Sequence, residues 1–298
     1  MGSGRVAIVT SGAGMEWDAD LPLIVEALRA RGVVGVPVAW DAPDVAWERF
    51  DLAVIRSTWD YTERIETFLA WADRAARGTR LWNPAPVVRW NSDKRYLRDL
   101  AEKGVDVVPT RFIEPGSPVA EEGFLGDGPV VVKPAISAGA VDTARYEPDQ
   151  HAAAEQHVRA LLEQGRIVMV QPYLRLVEEG ERALVFIGGT FSHAIRKGPV
   201  LTESGEIDND RVPHPDVTPY DPTDEEITTA LTALAAVPTA DALLFARVDL
   251  VLDETRRPVV MELELIEPNL FLESRPEGLN HLADSITARS RAVDPTQI

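Results

Sequence analysis

Two pairs of charged residues near the C-terminal end of the sequence have the types and spacing needed to bind a metal ion and a phosphate. Arg247 and Asp249 are separated by one apolar residue, and so are Glu262 and Glu264. In an extended strand, residues two apart share a face. If the two faces coincide, three carboxylates converge and repel one another unless a cation such as Mg²⁺ lies between them. Arg247 could then bind a phosphate or a carboxylate with two hydrogen bonds.

Two lysines bear on this interpretation, because the same alternation also occurs on the solvated face of an antiparallel sheet. Lys133 ends the apolar run 129–132, where an unpaired ammonium group would be costly, so we expect an anionic partner nearby. Lys94 is predicted to lie in the first turn of a helix, where its charge opposes the helix dipole. Either lysine alone could be an ordinary surface lysine. Together with the carboxylates, they favour a site for a bound anion.

Three further features could surround such an anion. The segment Ser137-Ala138-Gly139-Ala140 could bring its backbone N–H groups close to a phosphate. The segment Gln171-Pro172-Tyr173-Leu174 follows a predicted strand and could bind an adenine edge, with Glu181 within reach of a ribose. Each segment could equally be an ordinary turn or strand exit. His193 has no metal-ligand spacing around it and is more consistent with a positioning histidine than with a ligand.

Composition excludes several classes of protein. The 298 residues are 45% hydrophobic, enough for a sizeable core, and 30 basic against 48 acidic residues give a net charge of −18, which disfavours nucleic-acid binding. The absence of cysteine removes disulfides, thiolate zinc sites and cysteine nucleophiles, and fits a reducing compartment. The apolar run 6–9 is too short for a signal peptide, and Pro238 and Asp241 interrupt the weakly charged stretch 227–246. We therefore expect a soluble cytoplasmic protein without a membrane partner.

Common nucleotide and hydrolase motifs are absent from the sequence. The glycine cluster at 11–14 follows a predicted strand, but the third glycine of a dinucleotide fingerprint would fall at Trp17. No lysine follows a glycine as in a Walker A loop, and neither HExxH nor GxSxG occurs. These routes to phosphate binding or hydrolysis are therefore excluded.

The order of predicted elements indicates an α/β region followed by an α+β region. In residues 5–90, apolar strands alternate with helical patterns, which is typical of a parallel sheet with crossover helices. The stretch 201–222 lacks periodicity and is predicted to be a long loop. The predicted strands lie at 5–10, 33–40, 51–57, 110–114, 129–134, 167–171, 182–187, 190–197, 245–252 and 258–265, and the helices at 21–31, 63–77, after a cap at 91–93, at 149–164 and at 223–236.

Taken in order along residues 80–290, these motifs resemble the ATP-grasp ligase superfamily. The motifs that carry the resemblance are Asn91-Ser92-Asp93-Lys94, Val131-Val132-Lys133-Pro134, Gln171-Pro172-Tyr173-Leu174, Gly180-Glu181, Arg247-Val248-Asp249 and Glu262-Leu263-Glu264. Three other segments, 55–61, 191–197 and 262–268, are more narrowly similar to the O-ureido-serine cyclo-ligases of cycloserine biosynthesis and their relatives.

The resemblance implies an ATP-grasp fold in which an N-terminal Rossmann-like domain precedes two α+β lobes that enclose ATP. The implied domains are 1–90, 91–170 and 171–298. ATP would phosphorylate a substrate carboxylate, and an amine would then displace the phosphate. The residue roles carried over are Lys94 and Lys133 for the α- and β-phosphates, Ser137 and Gly139 for the covering loop, Gln171, Tyr173 and Leu174 for adenine, Glu181 for ribose, Lys197 for the γ-phosphate, Arg247 for the acyl phosphate, and Asp249, Glu262 and Glu264 for two Mg²⁺ ions, with Mn²⁺ as an alternative.

Two departures from the family pattern leave parts of the site open. The usual metal motif is Glu-x-Asn, whereas Glu262-Leu263-Glu264 ends in glutamate and a literal Glu-x-Asn occurs only at Glu267-Pro268-Asn269. The loop at 137–140 is also poor in glycine.

The substrate-side candidates follow from position at the end of a parallel strand, where open sheets bind ligands. Arg56, Ser57 and Tyr61 lie there, and His193 is added as a fourth candidate. We predict a carboxylate-amine ligase that closes a small amino-acid-like substrate into a ring, because a tethered amine has a high effective molarity. Intermolecular ligation and a non-catalytic nucleotide-binding role remain alternatives, and homo-oligomer formation is left open.

Overall fold

The computed structural model describes residues 4–117, 125–210 and 216–291, which form three β-sheets and the helices packed on them. The N-terminal elements are β1 (Arg5–Thr10), α1 (Gly12–Trp17), α2 (Asp20–Ala30), β2 (Val34–Ala39), β3 (Leu52–Ser57), α3 (Ile65–Gly78), β4 (Leu81–Trp82) and α4 (Ala85–Asn91). The four strands pair in parallel in the order β2-β1-β3-β4, as expected of crossover connections. The predicted parallel sheet is confirmed, although the sequence analysis did not predict β4, α1 and α4.

The middle of the chain forms an antiparallel sheet. Its elements are α5 (Tyr96–Glu102), β5 (Arg111–Ile113), β6 (Val130–Pro134), β7 (Ala144–Tyr146), α6 (His151–Glu163) and β8 (Val168–Pro172). The strands are ordered β5-β8-β6-β7, and α6 packs on them through Ala154, Val158 and Leu161. The predicted position of Lys94 inside a helix was wrong, because α5 begins at Tyr96 and the residues before it form turns.

The C-terminal third forms a second antiparallel sheet. Its elements are β9 (Glu181–Ile187), β10 (Thr190–Lys197), β11 (Thr218–Tyr220), α7 (Asp224–Ala235), β12 (Phe245–Leu252), β13 (Pro258–Glu264) and α8 (Pro276–Arg291). The strands are ordered β11-β10-β9-β12-β13. The capping box predicted at Thr223 and Glu226 begins α7, with both reciprocal hydrogen bonds present. Strand β11 corrects the prediction of a continuous loop at 201–222, of which residues 211–215 lie outside the described residues.

Both faces of the parallel sheet are covered, which is why its strands are apolar throughout. On one face, Val6 and Ile8 pack with Ile24 and Leu28 of α2 and with Ile286 of α8. The opposite face packs against the aromatic side of α3. Helix α8 therefore attaches the end of the chain to the first sheet, an arrangement that the sequence did not predict.

Close packing explains the first glycine cluster without a nucleotide. A Cβ atom at Gly14 would collide with the Ser57 carbonyl oxygen and the Thr10 hydroxyl, so only glycine allows α1 to approach the ends of β1 and β3. No helix among the described residues is long and apolar enough to cross a membrane. The combination of a parallel sheet with two α+β regions confirms the predicted fold class, and the domain boundaries after residues 90 and 170 stay a prediction.

Candidate active site

A cavity of about 520 Å³ is lined by residues of both antiparallel sheets and of the loops beside them. It brings together most of the side chains that the sequence analysis selected. Those lining it are Tyr61, Lys94, Lys133, Ser137, Gly139, Gln171, Tyr173, Leu174, Glu181, Lys197, Arg247, Asp249, Glu262 and Glu264. Arg56, Ser57 and His193 do not line it.

Strands β12 and β13 set the charged wall of this cavity through their register. Asp249 lies opposite Glu262, and Arg247 lies opposite Glu264. Both Asp249 and Arg247 are almost completely buried, with 1% and 2% of their surface exposed. The interpretation of this alternation as a solvated sheet face is therefore excluded, and the expected sharing of one face is supported by the observed pairing.

The pairing contains a bulge that periodicity did not predict. The register shifts between Asp249 and Leu250, which pair with Glu262 and Val260, so Met261 is an extra residue on β13. Met261 consequently lines the cavity beside Glu262 instead of lying on the opposite face.

Arg247 and Lys197 neutralise Asp249. The Arg247 Nε and Nη2 atoms donate to the two carboxylate oxygens at 2.8 Å each, and Lys197 Nζ donates at 2.9 Å. Burial alone would raise the pKa of Asp249, but these two cations outweigh it and hold that pKa well below its usual range. Asp249 is therefore ionised at neutral pH.

Two other carboxylates of the wall have raised pKa values. Burial raises the pKa of Glu264 to about 7 in spite of its ion pair with Arg247, and Asp249 and Glu262 add to the shift. Burial also raises the pKa of Glu181 to about 7, although Glu181 forms an ion pair with Lys197. The wall thus holds more acidic groups than its cations can neutralise, and a further cation would be stabilised there.

The two predicted phosphate lysines approach the cavity from the other side. Lys94 Nζ donates to the Ser137 carbonyl oxygen at 2.6 Å and lies 3.1 Å from Glu262 Oε1. Lys133 has no ion-pair partner within 4 Å among the residues that the structure describes, and burial lowers the pKa of its ammonium group, an effect that Glu262 opposes. Lys133 is therefore a cation with unused hydrogen-bonding capacity.

The loop at 137–140 adopts left-handed backbone conformations. Gly139 has φ +62° and Ala140 has φ +58°. Glycine tolerates this region, while alanine adopts it at a cost of about 1 kcal/mol. The hydrogen bond from Lys94 to the Ser137 carbonyl anchors the start of the loop, so the loop and the lysine are positioned together.

The opposite end of the cavity is apolar. Its side chains are Val108, Val131, Leu174, Val177, Val251 and Met261. Gln171 donates its side-chain amide to Thr110 Oγ1 at 2.8 Å, and Tyr173 N donates to the Pro129 carbonyl oxygen at 2.8 Å. An apolar lining of this kind suits a purine ring.

Two predicted substrate residues, Arg56 and Ser57, have structural partners instead. Arg56 is 3% exposed, and its guanidinium donates to Asp18 and Asp20 at 2.9 Å each and to the Pro268 carbonyl oxygen at 2.6 Å. Ser57 Oγ lies 2.7 Å from Thr10 Oγ1. Of the candidates chosen at this strand end, Tyr61 lines the cavity, whereas Arg56 and Ser57 do not.

His193 also has local partners. Its Nε2 atom lies 2.8 Å from the Leu270 carbonyl oxygen, and its Nδ1 atom lies 3.0 Å from Ser192 Oγ. Burial lowers its pKa, so the ring is neutral at physiological pH. This geometry supports the positioning role that its spacing favoured and does not place it at the cavity.

Sequence analysis missed the residues that hold β13 in place. Asn91 Nδ2 donates to the Leu263 carbonyl oxygen at 2.7 Å, and Asn83 Nδ2 donates to the Leu265 carbonyl oxygen at 2.7 Å. The Tyr96 hydroxyl accepts a hydrogen bond from Leu263 N at 2.9 Å. The expectation that 91–93 caps a helix was wrong for Asn91, which ends α4 and binds β13. No local pattern in the sequence points to these contacts.

Comparison with known proteins identifies the family. Residues 6–83 match the model for the N-terminal domain of D-cycloserine synthetase DcsG. The chain is 37% identical to the cycloserine biosynthesis protein DcsG of Streptomyces lavendulae, over 96% of this chain and 99% of that protein. The chain belongs to the DcsG family.

Solved structures agree with this membership of the DcsG family. The crystal structure of D-cycloserine synthetase DcsG matches with a TM-score of 0.88 and 36% identity, over 97% of this chain and 100% of that one. A RimK domain ATP-grasp protein from Sphaerobacter thermophilus matches with a TM-score of 0.69 at 20% identity, over 95% and 99% of the two chains. D-alanine–D-alanine ligase from Bacillus anthracis matches with a TM-score of 0.67 at 16% identity, over 97% of each chain. The last two matches show that this chain has the ATP-grasp fold.

ATP-grasp ligases use ATP and divalent metal ions, and the residues of this DcsG-family cavity fit both. Carboxylate oxygens are hard ligands that suit Mg²⁺. Glu264 and Glu181 have raised pKa values, so additional positive charge beside them would stabilise their ionised forms. Among the described part of the chain, no three acidic, histidine or cysteine side chains form a ready metal site. The ion pairs to Lys94, Lys197 and Arg247 occupy the carboxylates, so binding of a metal would have to exchange them.

Proposed function

We propose that this DcsG-family ligase phosphorylates the carboxylate of a small amino-acid-like substrate and closes the product into a ring, as the name cycloserine synthetase suggests for its relatives. The observation that carries the proposal is the convergence, in one cavity, of separate lysines with an arginine and an acidic wall. A nucleoside triphosphate needs such neutralising groups when it binds. They also favour phosphoryl transfer, because negative charge on the transferring oxygens is its main obstacle.

The nucleotide would lie along the cavity from its apolar to its charged end. Adenine would pack on the apolar side chains and bind the backbone of Gln171, Tyr173 and Leu174. Lys94 and Lys133 would neutralise the α- and β-phosphates, and the loop carrying Ser137 and Gly139 would cover them. Lys197 would neutralise the γ-phosphate. Glu181 would then give up its ion pair with Lys197 and accept a hydrogen bond from a ribose hydroxyl group.

Asp249, Glu262 and Glu264 would hold two Mg²⁺ ions, with Glu267 and Asn269 as the alternative to Glu264. The bound metal would supply positive charge against the β- and γ-phosphate oxygens. Because Asp249 is opposite Glu262 and Arg247 is opposite Glu264, the groups proposed for the metal and for the acyl phosphate would be two residues apart along each strand.

A substrate carboxylate oxygen attacks the γ-phosphorus, and the bond from phosphorus to the ADP oxygen breaks. Arg247 neutralises the resulting acyl phosphate. A nitrogen of the same substrate attacks the acyl carbon, the bond from that carbon to the phosphate oxygen breaks, and the nitrogen loses one proton to solvent. ADP and phosphate leave with the cyclic product.

Measurement of ADP release with Mg²⁺ and a panel of small amino acids, with mass spectrometry of the product, tests this function. We expect a product lighter than a single substrate molecule, formed without a second amine. A product that joins two substrate molecules would replace ring closure by intermolecular ligation. Nucleotide binding without ADP release for every compound of a panel that includes O-substituted serines would contradict the proposal.

A further inference from the structure

One residue in the segment after β13 has a backbone conformation that its side chain disfavours. Phe271 has φ +54°, in the left-handed region that bulky residues rarely adopt. Such a conformation persists only where the surrounding structure imposes it, and it is found most often at functional sites. The contacts that impose the conformation of Phe271 therefore indicate its role.

Hydrogen bonds fix the backbone at Phe271 and on both sides of it. The Phe271 N–H group donates to Asn269 Oδ1 at 2.9 Å. His193 Nε2 lies 2.8 Å from the carbonyl oxygen of the preceding residue. Asp20 accepts hydrogen bonds from the N–H groups of the next two residues, at 3.2 and 2.9 Å. Because His193 belongs to β10 and Asp20 to α2, distant parts of the chain hold this conformation in place.

The ring of Phe271 contacts a residue of the cavity wall. Phe271 forms a buried cluster with Ala183 and Ile195 and does not itself line the cavity. The guanidinium carbon of Arg247 lies 5.7 Å from the ring centroid, within the distance of a cation–π contact. Arg247 Nη1 also donates to the Asn269 carbonyl oxygen at 3.0 Å. Arg247 therefore has two contacts in this segment, a backbone carbonyl and an aromatic ring, and neither carries a charge.

These uncharged contacts differ from the ion pairs of Arg247. Its ion-pair partners among the described residues are Asp249 and Glu264, which the proposed function assigns to the metal. A metal that takes these carboxylates would remove the ion pairs that hold the guanidinium in the free protein. The carbonyl and the ring do not compete for the metal in this way. They would therefore keep holding Arg247 and leave its charge available to an anion.

We propose that Phe271 is a positioning residue that keeps Arg247 in place against the transferred phosphate once the metal has bound. This assignment rests on the proposed function, because that function places the acyl phosphate beside Arg247. Phe271 lies outside the cavity and acts through the guanidinium. Loss of the ring should therefore slow turnover more than it weakens binding of the nucleotide.

Steady-state kinetics of two Phe271 variants test this role. ADP release is measured with Mg²⁺ and the panel compound that supports the highest rate. Phe271→Leu keeps an apolar side chain without an aromatic face, and its kcat should fall about 3- to 30-fold, the range that corresponds to a cation–π contact. Its KM for ATP should stay within about 2-fold of the wild-type value. Phe271→Tyr keeps the ring and should retain at least about half of the wild-type kcat.

A double-mutant cycle separates action through Arg247 from a general loss of structure. In the Arg247→Met background the guanidinium is absent, so Phe271→Leu should lower the remaining kcat by less than about 2-fold. Phe191→Leu is the matched control, since Phe191 is 39% exposed on β10, and it should keep the wild-type kcat. Thermal unfolding checks that each variant is folded.

Binding of inorganic phosphate repeats the cycle without turnover. The Kd for phosphate is measured by calorimetry in the presence of Mg²⁺ and ADP. Phe271→Leu should raise this Kd about 3- to 30-fold when Arg247 is present and by less than about 2-fold in the Arg247→Met variant.

Two results would overturn the positioning role. One is a Phe271→Leu variant with the wild-type kcat, and the other is an equal loss of kcat with and without the Arg247 guanidinium. If Arg247→Met does not fold, equal kcat values for Phe271→Leu and Phe271→Tyr would overturn the role instead.

Failure of the proposed function gives a different result. If the wild-type protein releases no ADP with any compound of the panel, the proposed function is contradicted, and phosphate binding then decides the role of Phe271 by the same criteria. A protein that neither releases ADP nor binds phosphate contradicts both proposals.

Discussion

Replacement of Asn91 by leucine should destabilise the protein and the acidic wall together. Strand β13 is the last strand of its sheet, and along its outer edge the described residues provide one isolated bridge, between Val107 and Val260, but no further strand. Asn91 takes the place of one, because its Nδ2 donates to the Leu263 oxygen and its Oδ1 accepts from Leu265 N at 2.8 Å. Leu263 lies between the two glutamates of β13, so this side chain fixes the backbone that carries them.

The magnitude follows from the two groups that would be left without partners. Asn91 is 7% exposed, so water does not replace its amide without rearrangement. Each buried N–H or C=O group left unpaired costs about 1–3 kcal/mol. Leucine keeps the four heavy atoms and the branching at Cγ of asparagine but has no group that can form a hydrogen bond. We therefore expect a loss of about 2–5 kcal/mol in the free energy of unfolding, or a fall in Tm of about 4–10 °C at this chain length.

Urea and thermal unfolding followed by circular dichroism measure the loss, and ADP release measures the effect on activity. Asn280→Leu is the matched control, since Asn280 is exposed on α8 and should change stability by less than about 0.5 kcal/mol. If Asn91→Leu unfolds within about 0.5 kcal/mol of wild type, the side chain does not act as a substitute strand and the reasoning fails.

Three further predictions concern charged groups. Glu262→Gln or Asp249→Asn should lower ADP release at least about 100-fold in a folded protein; full activity in either variant would remove that residue from the metal site. Arg56→Met should lower the free energy of unfolding by about 3–5 kcal/mol, measured in urea, because two buried aspartates lose their cation; an unchanged stability would contradict this role. Nucleotide binding with Mg²⁺ should release protons below pH 7, because Glu264 must lose the proton that its pKa of about 7 retains, so affinity measured by calorimetry should rise with pH and level off above 7. Because the folded state binds more protons than the unfolded state between about pH 4.5 and 7, the free energy of unfolding of the free protein should fall as the pH rises through this range. An affinity and a stability that do not depend on pH would refute the raised pKa of Glu264.

Local patterns in the sequence were sufficient for the elements that carry most of the charged groups. Alternation on β12 and β13 predicted which residues share a face, since a strand has a period of two. The run of valines before Lys133 predicted an anionic partner nearby; burial does lower the pKa of this lysine, but among the described residues no carboxylate lies within 4 Å of it. In these cases the cause and the effect lie within a few residues of each other along the chain.

The sequence could not predict features that depend on distant contacts. Arg56 lies at the predicted strand end, but whether it binds substrate depends on Asp18, Asp20 and the Pro268 carbonyl, the last of which is 212 residues away. The bulge that turns Met261 into the cavity arises from pairing between two strands, and the periodicity of either strand alone does not contain it. Helix α8 is stabilised by packing against α2 and the first sheet, and the weak apolar pattern of its own sequence does not predict this contact.

Several charged residues of the cavity pair with one another in the free protein. Residue types therefore locate the cavity, but they do not show which side chain binds the nucleotide and which binds the metal. Several cations and carboxylates are paired in this way, as the contacts of Lys94 with Glu262 and of Lys197 with Asp249 show. A nucleotide would attract the lysines and a divalent cation would attract the carboxylates, so each ligand releases the binding groups of the other. Binding of either alone would leave buried charges without partners, which is costly in a region shielded from water. The arrangement therefore favours joint binding of nucleotide and metal.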